Sequence, residues 1–231
     1  MPWKKNWVIM NNYKKLTPLT VRIVLYALAM LSVALIIKQD FANGQVLEEE
    51  MIEIFQEVFL ILAVIFSLIA TRFQKFKIFN YAMAGMLMVH FIREFDFWLN
   101  YNLFDYAWQI LALVVFIPTV YLIISKRKAF IKDVLSLSKS YGFGIFIIGF
   151  LTLHVFSRLF GSKKIWNWLM EPIYMKSVAE ANGEKIISLE DFVYPLKTGA
   201  QEGIELFAYL LILIGVIEMF ISKNNAHKKL K

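Results

Sequence analysis

Residues 53–71 read EIFQEVFLILAVIFSLIAT: two glutamates one helical turn apart, then an apolar run broken only by Ser67. At ~1.5 Å rise per residue such a stretch, wound as a helix, crosses a hydrocarbon core of roughly 30 Å. The run lacks the alternation of a barrel strand, and a helix satisfies all its own backbone hydrogen bonds in lipid. The stretch therefore predicts a membrane-spanning helix with acidic side chains, Glu53 and Glu57, near one end.

Five further stretches have the same character: 21–38, 78–97, 107–125, 143–160 and 203–222. With 59% hydrophobic and 16% aromatic residues and a mean hydropathy of +0.58, the composition lies well outside the range of water-soluble domains. The expectation is an all-α, polytopic membrane protein of six transmembrane helices forming a single domain over 1–231, with the lipid bilayer as its surroundings. Pro118 is the one proline inside a span and is expected to kink the fourth helix without ending it.

Lys4, Lys5, Lys14, Lys15 and Arg22 precede or open the first span, Arg72, Lys75 and Lys77 lie between the second and third, and Lys126, Arg127, Lys128, Lys132 and Lys139 between the fourth and fifth. Lys223, Lys228, Lys229 and Lys231 follow the sixth. All four clusters fall on one side of a six-span chain, which the positive-inside rule makes cytoplasmic. Both termini are then inside, in the cell (inner) membrane, and the first span reads as a retained signal-anchor. The loop 161–200 lies outside. Its Trp166 and Trp168 beside Lys163 and Lys164 predict a short interfacial helical segment between helices five and six. Thr198 and Gln201 have capping-box spacing, which places the start of the sixth helix near Thr198.

The net charge of +7 is spread over these inner loops and tails, so it matches anionic lipid and no nucleic acid. No cysteine is present, which removes disulfides, thiolate nucleophiles and cysteine-bound metal.

Helical spacing gathers the polar residues of the spans into stripes. Glu50, Glu53 and Glu57 share a face, as do His90, Arg93 and Glu94, then His154 and Arg158, then Gln201 and Glu205, with Glu202 alongside. Because successive helices run in opposite directions, all four stripes come to the outer end. Five carboxylates, Glu53, Glu57, Glu94, Glu202 and Glu205, meet only two guanidiniums, Arg93 and Arg158. Charged side chains at membrane depth are costly without partners, so this site needs further positive charge.

Three chemistries fit it. One is an outward-opening pocket that binds or translocates a small cation, a proton or an amphipathic molecule. A second is an ion-pair network that only holds helices together, with Arg93 on Glu57 or Glu94, Arg158 on Glu205, and Glu218 on an inner basic residue. The third is a membrane-embedded hydrolase with zinc on His90, His154 and Glu57. The run Glu48-Glu49-Glu50 resembles the Glu-Glu-x-x-x-Arg motif of the intramembrane CAAX proteases, and Phe150 with His154 is similar to their Phe-x-x-x-His motif. Glu53 and Ile54 stand where that family needs an arginine, and no His-x-x-x-Asn follows, so the resemblance covers two fragments.

Overall fold

The computed structural model describes residues 3–42, 51–73, 76–180 and 187–228, and the described residues are helices and their connections. In chain order the helices are α1 (Trp3–Ala42), α2 (Met51–Phe73), α3 (Lys77–Glu94), α4 (Asp96–Asn102), α5 (Ala107–Ser125), α6 (Arg127–Leu137), α7 (Tyr141–Leu151), α8 (Ser157–Phe160), α9 (Lys163–Glu180) and α10 (Leu189–Lys228). A π-turn, Thr152–Phe156, joins α7 to α8.

Five segments among the described residues are long and apolar enough to cross a membrane: Leu19–Phe41, Met51–Arg72, Ala107–Ser125, Tyr141–Phe160 and Leu189–Ile221. The protein is a multi-pass membrane protein in contact with lipid. The expected third span, 78–97, falls short of the others, because α3 carries Lys77, Asn80, His90, Arg93 and Glu94 within 18 residues. Its surroundings explain the difference. The helix packs against α2 and α5, with Ala82, Met83, Ala84 and Leu87 buried, while Phe79 meets Phe130 of α6 and Phe143 of α7 and Tyr81 and Met86 stay exposed. A helix face packed on protein can carry polar residues that a lipid-facing one cannot. It also stops at Glu94, and the chain restarts as α4 after a break at Phe95.

The core is built on α10, where Leu206, Ala208, Tyr209, Ile212 and Val216 are 2% exposed or less. Its closest partner is α7, and three glycines permit the approach. A Cβ on Gly142 would lie 2.4 Å from the backbone nitrogen of Met219, and one on Gly149 would lie 2.9 Å from that of Ile212. From the other side, a Cβ on Gly215 would lie 2.6 Å from the nitrogen of Phe146. Small residues at such crossings let dispersion contacts replace the hydrophobic drive that lipid removes. The consequence for function is positional: this crossing carries Ser157 to Glu205.

Two buried aspartates have a structural task. Asp40, near the end of α1, accepts from Ile52 N at 2.9 Å, and Asp133 of α6 accepts from Phe79 N at 3.3 Å. Each satisfies a first-turn backbone donor of another helix, which would otherwise be left without a partner.

The sixth expected span begins earlier than Thr198. Ser188 accepts from Asp191 N at 3.1 Å and donates to the Asp191 carboxylate at 2.6 Å, a capping pair that starts α10 at Leu189. Thr198 lies inside the helix, which passes through Pro195. Most of the expected loop 161–200 is thus helical. Within it α9 packs on the start of α10, with Tyr174 donating to Ile187 O at 2.7 Å and its ring tilted against that of Phe192. Lys163 reaches Glu190 at 2.6 Å on the surface, and that carboxylate holds its ammonium above the usual lysine range.

Candidate functional site

The nine residues read as one constellation separate into three neighbouring groups and one outlier. The first group is a buried network. Arg93 places its guanidinium 2.8 Å from Glu94 and 3.2 Å from Glu205. Glu205, 1% exposed in mid-bundle, also accepts from Ser157 at 2.6 Å and Gln201 at 3.1 Å. Glu94 accepts from the Tyr209 hydroxyl at 2.5 Å. Two carboxylates thus share one guanidinium and three neutral donors. Hydrogen bonding meets their acceptor demand, yet with both carboxylates ionised the group carries one more negative charge than positive.

The second group is an acidic cavity of about 750 Å³ where α2 begins and α3 gives way to α4. Glu53, Glu57 and Glu94 line it together with Phe95, Phe97, Trp98 and Tyr101, and among the described residues no lysine or arginine joins them. Glu94 belongs to both groups: one residue faces the cavity and also engages Arg93 and Tyr209. Gln56, fully buried on the opposite face of α2 from Ile54, donates to the Glu202 carboxylate at 3.1 Å and to its backbone carbonyl at 3.2 Å. Glu202 is thereby tied to α2.

The third group is the histidine pair. The rings of His90 and His154 lie 5.0 Å apart, with Phe150 edge-on to His154 at 4.3 Å and Tyr209 at 6.5 Å from His90. His154 sits on the π-turn. Glu57 lines the cavity, and among the described residues no three His, Asp or Glu side chains converge in the way a metal ion requires.

Arg158 is the outlier. The sequence pairs it with Glu205, whereas the structure leaves it exposed and gives Glu205 to Arg93. The π-turn is the cause. Its wider turn offsets the ~40° by which every fourth residue drifts around an α-helix, so Gly149, Leu153 and Ser157 stay on one buried stripe. Ser157 points inward and Arg158 outward. A π-turn has no simple sequence signature, so Ser157 was beyond reach of spacing alone. Tyr209 and Gln56 were legible in principle as polar groups on buried helical faces. Glu50 and the Glu48-Glu49 pair lie outside the described residues.

Further along α10, Glu218 takes both carboxylate contacts from one nitrogen of Arg22, at 3.0 and 2.9 Å, and a short hydrogen bond from Tyr26. The sequence reading gives Glu218 a basic partner, and Arg22 is that partner.

The chain matches no protein-family model, no curated protein and no solved structure.

Proposed function

We propose that the protein binds a small or amphipathic cation in the acidic cavity, with the Arg93 network serving as the frame that holds one of its walls. The observation that carries this reading is the cavity itself: about 750 Å³, with three carboxylates and four aromatic rings among its described lining residues. Concave sites of roughly 300–1,000 Å³ with a few convergent polar groups are the usual form of a ligand site. A cation beside Glu57 is communicated by Glu94 to Arg93, Tyr209 and Glu205. Between this network and Glu218 the core of α10 is apolar, with Tyr209, Ile212 and Val216 closely packed. That arrangement favours binding at one face over conduction through the bundle.

The topology that suits this function has six crossings, α3 among them, both termini cytoplasmic in the inner membrane, and the cavity facing outward. Support comes from α3 packing against α2 and α5 and from the basic clusters that fall on one side of such a chain. The natural chain contains no cysteine, so single cysteines report cleanly. A membrane-impermeant maleimide added to intact cells is expected to label Asn102→Cys and to spare Ser138→Cys; the reverse pattern inverts the topology.

Function is tested by equilibrium binding to purified protein of protons, Na⁺, Ca²⁺ and dodecyltrimethylammonium, each alone. At least one binds saturably to the wild type, and Glu57→Gln weakens it at least tenfold while the protein stays folded. Equal binding by Glu57→Gln removes the cavity as the site. The ion-pair reading is kept for the network alone, because Glu205 is fully enclosed by its partners.

A further inference from the structure

We infer that α6 is a docking face for anionic phospholipid: the headgroup phosphate of a bilayer lipid lies on Arg127, Lys128 and Lys132, and its acyl chains begin against Ile131 and Leu135. The inference is independent of the acidic cavity.

Connectivity fixes the level of this helix. α6 joins two of the segments long and apolar enough to cross a membrane, Ala107–Ser125 and Tyr141–Phe160, so it sits where both leave the hydrocarbon. Tyr121, near the end of α5, is 72% exposed, and Tyr141, at the start of α7, is 91% exposed. Phenol rings settle among headgroups, so the two tyrosines mark the same level on either side of α6. This placement holds for either orientation of the chain in the membrane.

The two faces of α6 have different tasks. Phe130, Asp133 and Leu137 follow at helical spacing on the inward face. Phe130 lies 6.2 Å from Phe79 between ring centres, Asp133 accepts from Phe79 N, and Leu137 is fully buried. Asp133 is the one acidic residue of the segment 126–139, and it is turned into the bundle. On the outward face Ile131 and Leu135 stand one turn apart, 55% and 63% exposed. Arg127, Lys128 and Lys132 flank them, with Lys126 and Lys139 just beyond the helix, all five exposed. The exposed side of the segment therefore carries the cations, and its acid faces the other way.

Aliphatic side chains rimmed by cations match a ligand that has both acyl chains and a phosphate. Lysine and arginine lay their stems along apolar surface and keep their charged heads at the water boundary. A leaflet containing anionic lipid attracts such a cluster, and a guanidinium takes a phosphate through two parallel hydrogen bonds. A zwitterionic lipid offsets its phosphate with its own ammonium, and a soluble phosphate makes no use of Ile131 and Leu135. The complementary partner is a lipid of net negative charge.

The test is native mass spectrometry of the full chain released from maltoside micelles containing dioleoylphosphatidylglycerol, dioleoylphosphatidylcholine or soluble glycerol phosphate, at low and high ammonium acetate. The expected result is saturable binding of phosphatidylglycerol, about tenfold or more tighter than phosphatidylcholine, weakened by salt and not reproduced by glycerol phosphate. Arg127→Gln/Lys128→Gln/Lys132→Gln is expected to weaken it about tenfold or more, and Ile131→Ser/Leu135→Ser about threefold. Lys163→Gln/Lys164→Gln, on α9, is expected to bind as the wild type does. Circular dichroism and gel filtration confirm the fold of each variant, and Lys128→Gln alone, expected to weaken binding about threefold, carries the test if the triple variant does not fold. Equal binding of the two lipids overturns the inference, as does wild-type binding of phosphatidylglycerol by the folded triple variant. Glycerol phosphate binding as tightly as phosphatidylglycerol also overturns it, since the acyl chains then contribute nothing.

Discussion

Two glutamates of α10, Glu205 and Glu218, are each buried against an arginine from another helix, and they solve the problem differently. At Glu218 one carboxylate meets one guanidinium, which gives both its contacts from the same nitrogen, and Tyr26 completes the set. Charge there is balanced, and α1 is tied to the bundle. At Glu205 one guanidinium serves two carboxylates, and the second, Glu94, borders a cavity that adds Glu53 and Glu57. The network there holds two carboxylates on one guanidinium, and one of the two borders open space. An ion pair that closes on itself reads as structure, whereas a network that opens on a cavity points to a ligand.

Breaking each arginine pair should expose the contrast most strongly. Arg93→Ala leaves Glu94 and Glu205 without their cation in the bundle interior, and removing one partner of a buried pair costs about 3–5 kcal/mol. Loss of folded protein on gel filtration, partly restored by Glu205→Gln in the same chain, is the expected outcome; a fully stable Arg93→Ala contradicts the network. Glu218→Gln should cost less, about 1 kcal/mol, because the amide still accepts from Tyr26 and Arg22 is partly exposed and can reach water. A melting temperature lowered as far as that of Arg93→Ala would erase the difference between the two glutamates. The surface pair Lys163–Glu190 sets the lower limit: Lys163→Ala should leave the melting temperature unchanged within error, since both groups are solvent-exposed.

How much of this was legible in the sequence depends on the range of the interaction. The membrane class follows from composition and apolar length and the stripes on α2, α3 and α10 from periodicity, which need only the residues themselves and their neighbours. The partner of Glu205 does not. Arg93 and Arg158 are equally good candidates in one dimension, and the π-turn that rotates Ser157 in and Arg158 out depends on packing of α7 against α10 through Gly142, Gly149 and Gly215. The start of α10 was misplaced because two capping patterns compete, and Ser188 with Asp191 wins over Thr198 with Gln201.

The central claim is that the acidic cavity takes a cation while the Glu218 pair only holds α1 in place. Thermal unfolding of wild type, Glu57→Gln and Glu218→Gln with and without saturating dodecyltrimethylammonium tests it most directly, because a ligand raises stability only where it binds the folded state. The predicted result is a ligand-induced rise in melting temperature for wild type and Glu218→Gln and none for Glu57→Gln. The same rise in Glu57→Gln as in wild type would contradict it.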